Sequence, residues 1–310
     1  MKKILITGAN SYIGVSFEKY MEKFGDEYSV DTADMIGDEW KNKDFSTYSV
    51  VFHVAAVVHK KETKDLVPQY YAVNRDLAAE VAEKAKSDGV KQFIFLSSMS
   101  VYGIVTGKIA AVTEPKPKSH YGKSKLQAEQ KLLPMNDDAF KVCVLRPPMI
   151  YGKGCKGNYR ALEKFAGKLH FFPYVANERS MLYVDNLAAF VKLMIDKNES
   201  GVFFPQNDEY TNTSLMVKSI AAARGRKMRL VKGFTPLIRF LGLFTGLVNK
   251  AFGNLTYDKS LSYPDFKPEF GLEESIVLSE TGYEKNNAYL RRVAHRVEFQ
   301  KQPYFRAHRE

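Results

Sequence analysis

A short apolar run, Lys3-Ile4-Leu5-Ile6-Thr7, breaks at Gly8 and passes directly into a helix-patterned segment, and this junction limits what the chain can become. The run reads as a buried parallel strand. The turn Gly8-Ala9-Asn10-Ser11-Tyr12-Ile13-Gly14 follows, and Val15, Phe17, Tyr20, Met21 and Phe24 then lead as an amphipathic helix to Gly25. A tight glycine turn between strand and helix aims free backbone N–H groups and the helix dipole at a pyrophosphate. The glycines are spaced Gly-x-x-x-x-x-Gly, with Ser11 where a third glycine often stands. Serine is the smallest replacement that still permits fairly close backbone approach.

The same alternation continues. Strands are predicted at Ser49–Val54, Gln92–Ser97 and Lys141–Arg146, and helices at Asn74–Lys86 and Tyr121–Leu133, the latter closed by Pro134. Strand and helix in turn predict an α/β fold: a doubly wound parallel sheet (Rossmann fold), with its ligand beyond the carboxyl ends of the strands. This unit is assigned to residues 1–150, with 183–208 returning to it. Residues 151–310 are expected to form a smaller, mainly helical substrate domain with a basic tail. Within it, helices are predicted at Tyr159–Lys168, at Asn186–Asp196 with Asp185 as N-cap, and at Ser214–Arg224 capped by Asn212 or Thr213.

The end of the second strand, Tyr28 to Asp34, carries two acids, 17 and 20 residues after Gly14. A carboxylate there accepts bonds from ribose hydroxyls and repels a 2′-phosphate, which favours NAD over NADP. Asp34 is the preferred ribose contact and Asp31 the alternative. Farther on, Tyr121-Gly122-Lys123-Ser124-Lys125 places a phenol and an ammonium on one helix face. The ammonium is expected to favour the phenolate, so that Tyr121 exchanges a proton near neutral pH. Ser97 and Ser98 end a strand where ligands should bind. His53 reads as a satisfied core histidine, and His59 beyond it more simply as a loop residue than a cleft one.

In motif order the chain resembles the extended short-chain dehydrogenase/reductase family, NAD-dependent epimerase/dehydratase type, and within it the nucleotide-sugar (UDP-hexose) 4-epimerases. The segments that carry the likeness are Thr7 to Gly14, His53-Val54-Ala55-Ala56, Tyr70 to Asn74, Ser97 to Gly103, Tyr121 to Lys125, Leu145-Arg146-Pro147-Pro148 and Arg179 to Asn186. The resemblance implies that Tyr121 is the acid/base, Lys125 its partner, and Ser98 the hydroxyl that holds the substrate oxygen. It also implies that Gly8, Ser11, Tyr12, Ile13 and Gly14 cradle the pyrophosphate, that Asp44-Phe45 flanks the adenine, and that Ala55, Ala56, Asn74 and Pro148 line the cofactor cleft. Ser100, Asn158 and Arg179 match positions near the sugar nucleotide; a guanidinium suits a diphosphate.

The chemistry so implied is epimerisation at C4 through a transient 4-keto sugar, with NAD carrying the redox step. Related 4,6-dehydratases usually show an Asp-Glu pair after the catalytic hydroxyl residue, and Met99-Ser100 stands there instead. A reductase or dehydrogenase of a nucleotide-linked keto sugar is the alternative, and a non-catalytic NAD-binding protein the remaining one. No metal site is expected.

Composition fits an ordinary soluble enzyme, at 45% hydrophobic and 26% charged residues. Two cysteines, Cys143 and Cys155, make no disulfide framework and suit a reduced, cytoplasmic setting. Met1-Lys2-Lys3 runs straight into a strand the fold needs, so no cleavable signal peptide is expected. The formal net charge is +11, and residues 284–310 contribute seven Lys/Arg against three Glu. Nothing reads as a nucleic-acid module. The apolar stretch 236–252, with only Arg239 and Lys250 charged, reads as a buried or subunit-facing helix, with peripheral membrane contact as the other possibility. A homodimer is expected by analogy.

Overall fold

The computed structural model describes residues 1–58, 62–234, 236, 238, 240, 249 and 252–282. His59, most of the apolar stretch 236–252 and the basic tail 284–310 lie outside the described residues. The strands are β1 (Lys2–Thr7), β2 (Tyr28–Ala33), β3 (Val50–His53), β4 (Gln92–Leu96), β5 (Gly107–Ile109), β6 (Lys141–Leu145), β7 (Met149–Tyr151), β8 (Phe171–Pro173), β9 (Met181–Tyr183), β10 (Gly201–Phe203), β11 (Arg229–Val231) and β12 (Leu255–Tyr257). The helices used below are α1 (Tyr12–Met21), α2 (Val67–Tyr71), α3 (Ala78–Ser87), α4 (His120–Leu132), α5 (Asn158–Lys168), α6 (Val184–Asp196) and α7 (Thr213–Ala223).

Six strands form one parallel sheet in the order β10-β6-β4-β3-β1-β2. The order reverses between β1 and β3, which opens a crevice at their carboxyl ends. Burial on both faces explains the near-continuous apolar strands. Leu5, Val51, Phe93, Phe95, Val142 and Val144 turn towards α3 and α4, meeting Val81, Ala82, Ala128 and Leu132. Their neighbours Ile4, Ile6, Phe52, Ile94, Cys143 and Leu145 turn towards α1 and α6, meeting Phe17, Tyr20, Phe190 and Met194. The period of two sorts the side chains, as strand geometry requires.

A second lobe is built from α5, α7 and the helix Leu272–Thr281 around Tyr151, Tyr159, Leu162, Met216 and Ile220. Short parallel pairs β7–β9, β8–β11 and β5–β12 complete it. Two local expectations change. Asp185 lies in the first turn of α6, and Tyr183 occupies the cap position. The helix expected from Asn74 starts at Val67 and is wound as a π-helix over Ala72–Leu77, which turns Asn74 fully inward. Asn212 caps α7, its side chain accepting from the Leu215 N–H at 3.0 Å.

The β1–α1 turn depends on a missing side chain. Gly8 has φ +111°, and a Cβ there would lie 2.8 Å from the Ala55 backbone nitrogen. Both the dihedral and the overlap penalise any other residue. Gly8→Ala is expected to destabilise the protein by about 2 kcal/mol or more. Urea unfolding would show this as a lower midpoint at unchanged slope; an unaltered midpoint would refute it.

Candidate active site

Backbone bonds bring three loops together at the crevice. The N–H groups of Gly8 and Ala9 both donate to the Ala33 carbonyl, at 2.9 and 3.1 Å, and those of Val54 and Ala55 to Thr7, at 3.0 and 2.9 Å. Ser11 is the N-cap of α1, and its hydroxyl accepts from the Gly14 N–H at 3.1 Å. This is a more specific role than the glycine substitute read from sequence. As the first two helical residues, Tyr12 and Ile13 have backbone N–H groups with no intrahelical acceptor. Asp34, exposed one residue past β2, accepts from the Ile36 N–H at 3.0 Å. Asp31 instead accepts from the Tyr48 hydroxyl at 2.8 Å. Asp31 is thus tied to Tyr48 within the length of β2, and Asp34 stands beyond its carboxyl end.

Asp44 and Phe45 are not brought there. The Phe45 N–H donates to Asp88 at 3.1 Å, Lys84 lies over its ring, and its side chain is fully buried. Asp88 ends α3, and Ser49, four residues after Phe45, is bonded to Lys3 and Lys91 at the starting ends of β1 and β4. The pair thus sits at the amino ends of the strands, the wrong edge for this ligand. Ile36, 85% exposed, stands two residues beyond Asp34 past the carboxyl end of β2.

The catalytic candidates converge beyond β4. Ser98 caps the short 3₁₀ turn Met99–Tyr102. A Cβ on Gly122 would lie 2.5 Å from the Ser100 carbonyl oxygen, so glycine lets the start of α4 press against this turn. That approach brings Tyr121 near enough to Ser98 for the serine hydroxyl to act on the ionisation of the phenol. One helical turn on, Lys125 is 1% exposed and donates to the Leu96 carbonyl at 2.8 Å. Burial pushes the Tyr121 phenol above its usual value of 10, with the Ser98 hydroxyl pulling it down and Tyr70 adding to the rise. Burial lowers Lys125 to about 7, against an opposing pull from Glu129. The lowered phenol expected from sequence is not found, because burial disfavours the phenolate; the Lys125 ammonium meanwhile donates to the strand carbonyl.

Behind these residues lies a buried ion pair that sequence reading did not single out. Glu129 is 1% exposed and accepts from Arg146 Nε at 3.1 Å on each of its oxygens. It also accepts from the Ser97 hydroxyl, the neighbour of Ser98. Arg146 in turn donates to the Tyr102 hydroxyl at 2.9 Å, and its carbonyl accepts from Tyr257 at 2.8 Å. Glu129 stands four residues after Lys125, on the same helical face, and that spacing was the available signal.

Other expected cleft residues divide by role. Ala55 is buried against Gly8, with the half-buried Ala56 next to it, and Pro148 is buried beside the Pro147 carbonyl that accepts from Met99. Asn74 does not line the cleft. Its side chain accepts from the Val57 N–H at 2.8 Å and donates to the Val57 carbonyl and the Ser124 hydroxyl, so it clips the β3 loop to α4. His53 is only half satisfied: Nδ1 meets the Thr7 hydroxyl at 2.8 Å, and Nε2 has no partner among the described residues. Burial, reinforced by Lys125, depresses it to about 3.

Of the substrate candidates, Ser100 is exposed beside Ser98, and Asn158 is exposed at the first turn of α5. Arg179 is 9% exposed and donates to the Gly253 carbonyl at 2.9 Å. It has no carboxylate partner among the described residues, and burial alone lowers it. A buried cation without a counter-charge suits an anionic ligand.

The family described as the NAD dependent epimerase/dehydratase family matches residues 4–204. The chain belongs to this family. UDP-glucose 4-epimerase of Vibrio cholerae is 30% identical over 248 residues, which span 72% of this chain and 76% of that one. N-acetyl-alpha-D-glucosaminyl-diphospho-ditrans,octacis-undecaprenol 4-epimerase of Escherichia coli O157:H7 is 27% identical over 216 residues, 64% of each chain. Among solved structures, UDP-glucuronic acid 4-epimerase from Bacillus cereus in complex with NAD superposes with a TM-score of 0.69 at 18% identity, covering 90% of this chain and 98% of that one. At that identity the likeness speaks for the fold alone.

As a family member the chain uses NAD, and its own residues fit that group. Gly8 leaves room for close approach, the start of α1 offers N–H groups, and Asp34 supplies a carboxylate at the end of β2.

Two outcomes follow from the buried charges. Glu129→Gln leaves Arg146 without its counter-ion and is expected to cost about 3 kcal/mol, measured by urea unfolding. A loss below about 1 kcal/mol would contradict the pairing argument. Lys125 titrates at about 7 in the folded chain against a usual 10.5, so between those values the unfolded chain holds the extra proton. Stability should therefore rise with pH across that window, and Lys125→Met should flatten the rise; an unchanged slope would exclude Lys125 as its source.

Proposed function

We propose that this protein is an NAD-dependent epimerase that inverts C4 of a nucleotide sugar, of the UDP-glucose or UDP-N-acetylglucosamine kind, through a transient 4-keto form. The observation that carries the reading is the close packing of the start of α4, with Tyr121 and one turn on Lys125, against the turn that Ser98 caps, beside a dinucleotide cradle. Tyr121 takes the proton of the C4 hydroxyl and later returns it. Ser98 donates to the oxygen as it becomes a carbonyl. Lys125, one helical turn from Tyr121 on the same face of α4, supplies the cation that favours the phenolate once substrate and cofactor are in place. When bound, NAD supplies the hydride acceptor and donor, together with a positive ring. Arg179, with Ser100 and Asn158, holds the diphosphate and sugar. The 3₁₀ turn offers Met99 and Ser100 after Ser98, so it lacks the acid pair that water elimination needs.

The same reading places the enzyme in the cytoplasm as a homodimer through α4, with a sedimentation mass twice that of the chain. Its free cysteines suit a reducing compartment. The carrier is taken as UDP; the E. coli relative named for an undecaprenol-linked substrate makes a lipid diphosphate the other carrier to assay.

Purified protein mixed with UDP-glucose or UDP-N-acetylglucosamine, without added cofactor, is expected to form the galacto isomer. Turnover only with stoichiometric NAD(H) would make it a reductase instead, and NAD binding without turnover a sensor. Tyr121→Phe should lower kcat by about 10²–10⁴-fold while retaining NAD; a near-normal rate would remove Tyr121 from the mechanism.

A further inference from the structure

We propose that the outer face of the second lobe, formed by α5 and the β8–β11 pair, is a docking surface for an anionic lipid bilayer. Large apolar side chains stand outward here together: Phe171 is 60% exposed, Phe165 44%, Leu169 39% and Val231 37%. Single exposed apolar residues are ordinary, but a contiguous group marks an interaction surface. Contiguity follows from the pairing. Phe171 lies opposite Arg229, and Val231 opposite Pro173, while the intervening Phe172 turns inward to meet the Phe165 ring at 5.8 Å. Helix α5 runs through Leu169 and His170 directly into β8.

The charges around these side chains have one sign. Lys164, Lys168 and Arg229 are exposed and enter no ion pair among the described residues. The one acid of α5, Glu163, is bound by Arg224 at 2.9 Å. Phenyl groups flanked by lysine and arginine are the pattern of a face that lies in the headgroup region of an anionic membrane. A second copy of the chain fits less well, because a two-fold interface would set the same cations against one another. The formal net charge of +11 works in the same direction. Past Phe234, itself 45% exposed, the sequence continues into the stretch 236–252 with its two charges. The proposal is independent of which sugar carrier the enzyme accepts.

The full chain should co-sediment with phosphatidylcholine vesicles containing about 30% phosphatidylglycerol, and much less with phosphatidylcholine alone. Phe171→Ser, and separately Lys168→Glu with Arg229→Glu, should each weaken this at least about tenfold at an unchanged thermal midpoint. Turnover of a soluble UDP-sugar should stay at the wild-type level in both variants, so loss of vesicle binding is read apart from the chemistry. Equal binding to both kinds of vesicle, no binding at all, or full binding by the charge-reversed variant would overturn the proposal. So would a dimer, seen without lipid, that Phe171→Ser converts to monomer.

Discussion

The carboxylate of Glu129 holds the active centre together. It lies in the core between α4 and the ends of β4 and β6, and it accepts from Arg146 and Ser97 at once. A charge so placed is costly unless it is paired and hydrogen-bonded on each oxygen. The geometry that satisfies it also sets the positions of its partners. Ser97 fixes the strand end from which Ser98 projects. Arg146 extends the network to Tyr102 and, through its carbonyl, to Tyr257 of the second lobe. The same carboxylate acts one helical turn back on Lys125, opposing the loss of its proton.

Around that centre, buried groups are left in unequal states of satisfaction. Lys125 has a strand carbonyl and a nearby acid, His53 has one of its two nitrogens bonded, and Arg179 has a carbonyl but no carboxylate among the described residues. Fully satisfied networks rigidify a core, whereas partly satisfied ones concentrate where ligands bind. His53 closes β3, Lys125 reaches from α4 to the end of β4, and Arg179 bridges to Thr211 and Leu255 in the second lobe.

Much of this was legible in advance. The Gly8–Gly14 turn, the parallel sheet, the Tyr121–Lys125 spacing and Ser98 at a strand end all follow from local patterns, because each depends on neighbours within a few residues. Asp44 and Phe45 misled, since an acid followed by an apolar residue looks the same at either edge of a sheet; only the bond to Asp88 shows which edge it is. Asn74 misled because an inserted residue in its helix, invisible in the sequence pattern, turns its amide onto Val57 and Ser124. The ionisation of Tyr121 also ran opposite to expectation: spacing placed the ammonium on the right face but could not include the burial of the phenol, which disfavours its charged form.

By itself, the sequence determined the chemistry available and the order in which it is threaded: a glycine turn before a helix, a phenol and an amine one turn apart, and a hydroxyl at the close of a strand. Backbone sterics and helical period act over short range, so these survive without knowledge of the fold. The tertiary structure decided which charges meet and which are left unmet. Glu129 faces Arg146 across seventeen residues, and Arg179 faces the Gly253 carbonyl across seventy-four. Desolvation, which moved Tyr121 up and Lys125 down, is a property of the assembled core and of no segment within it.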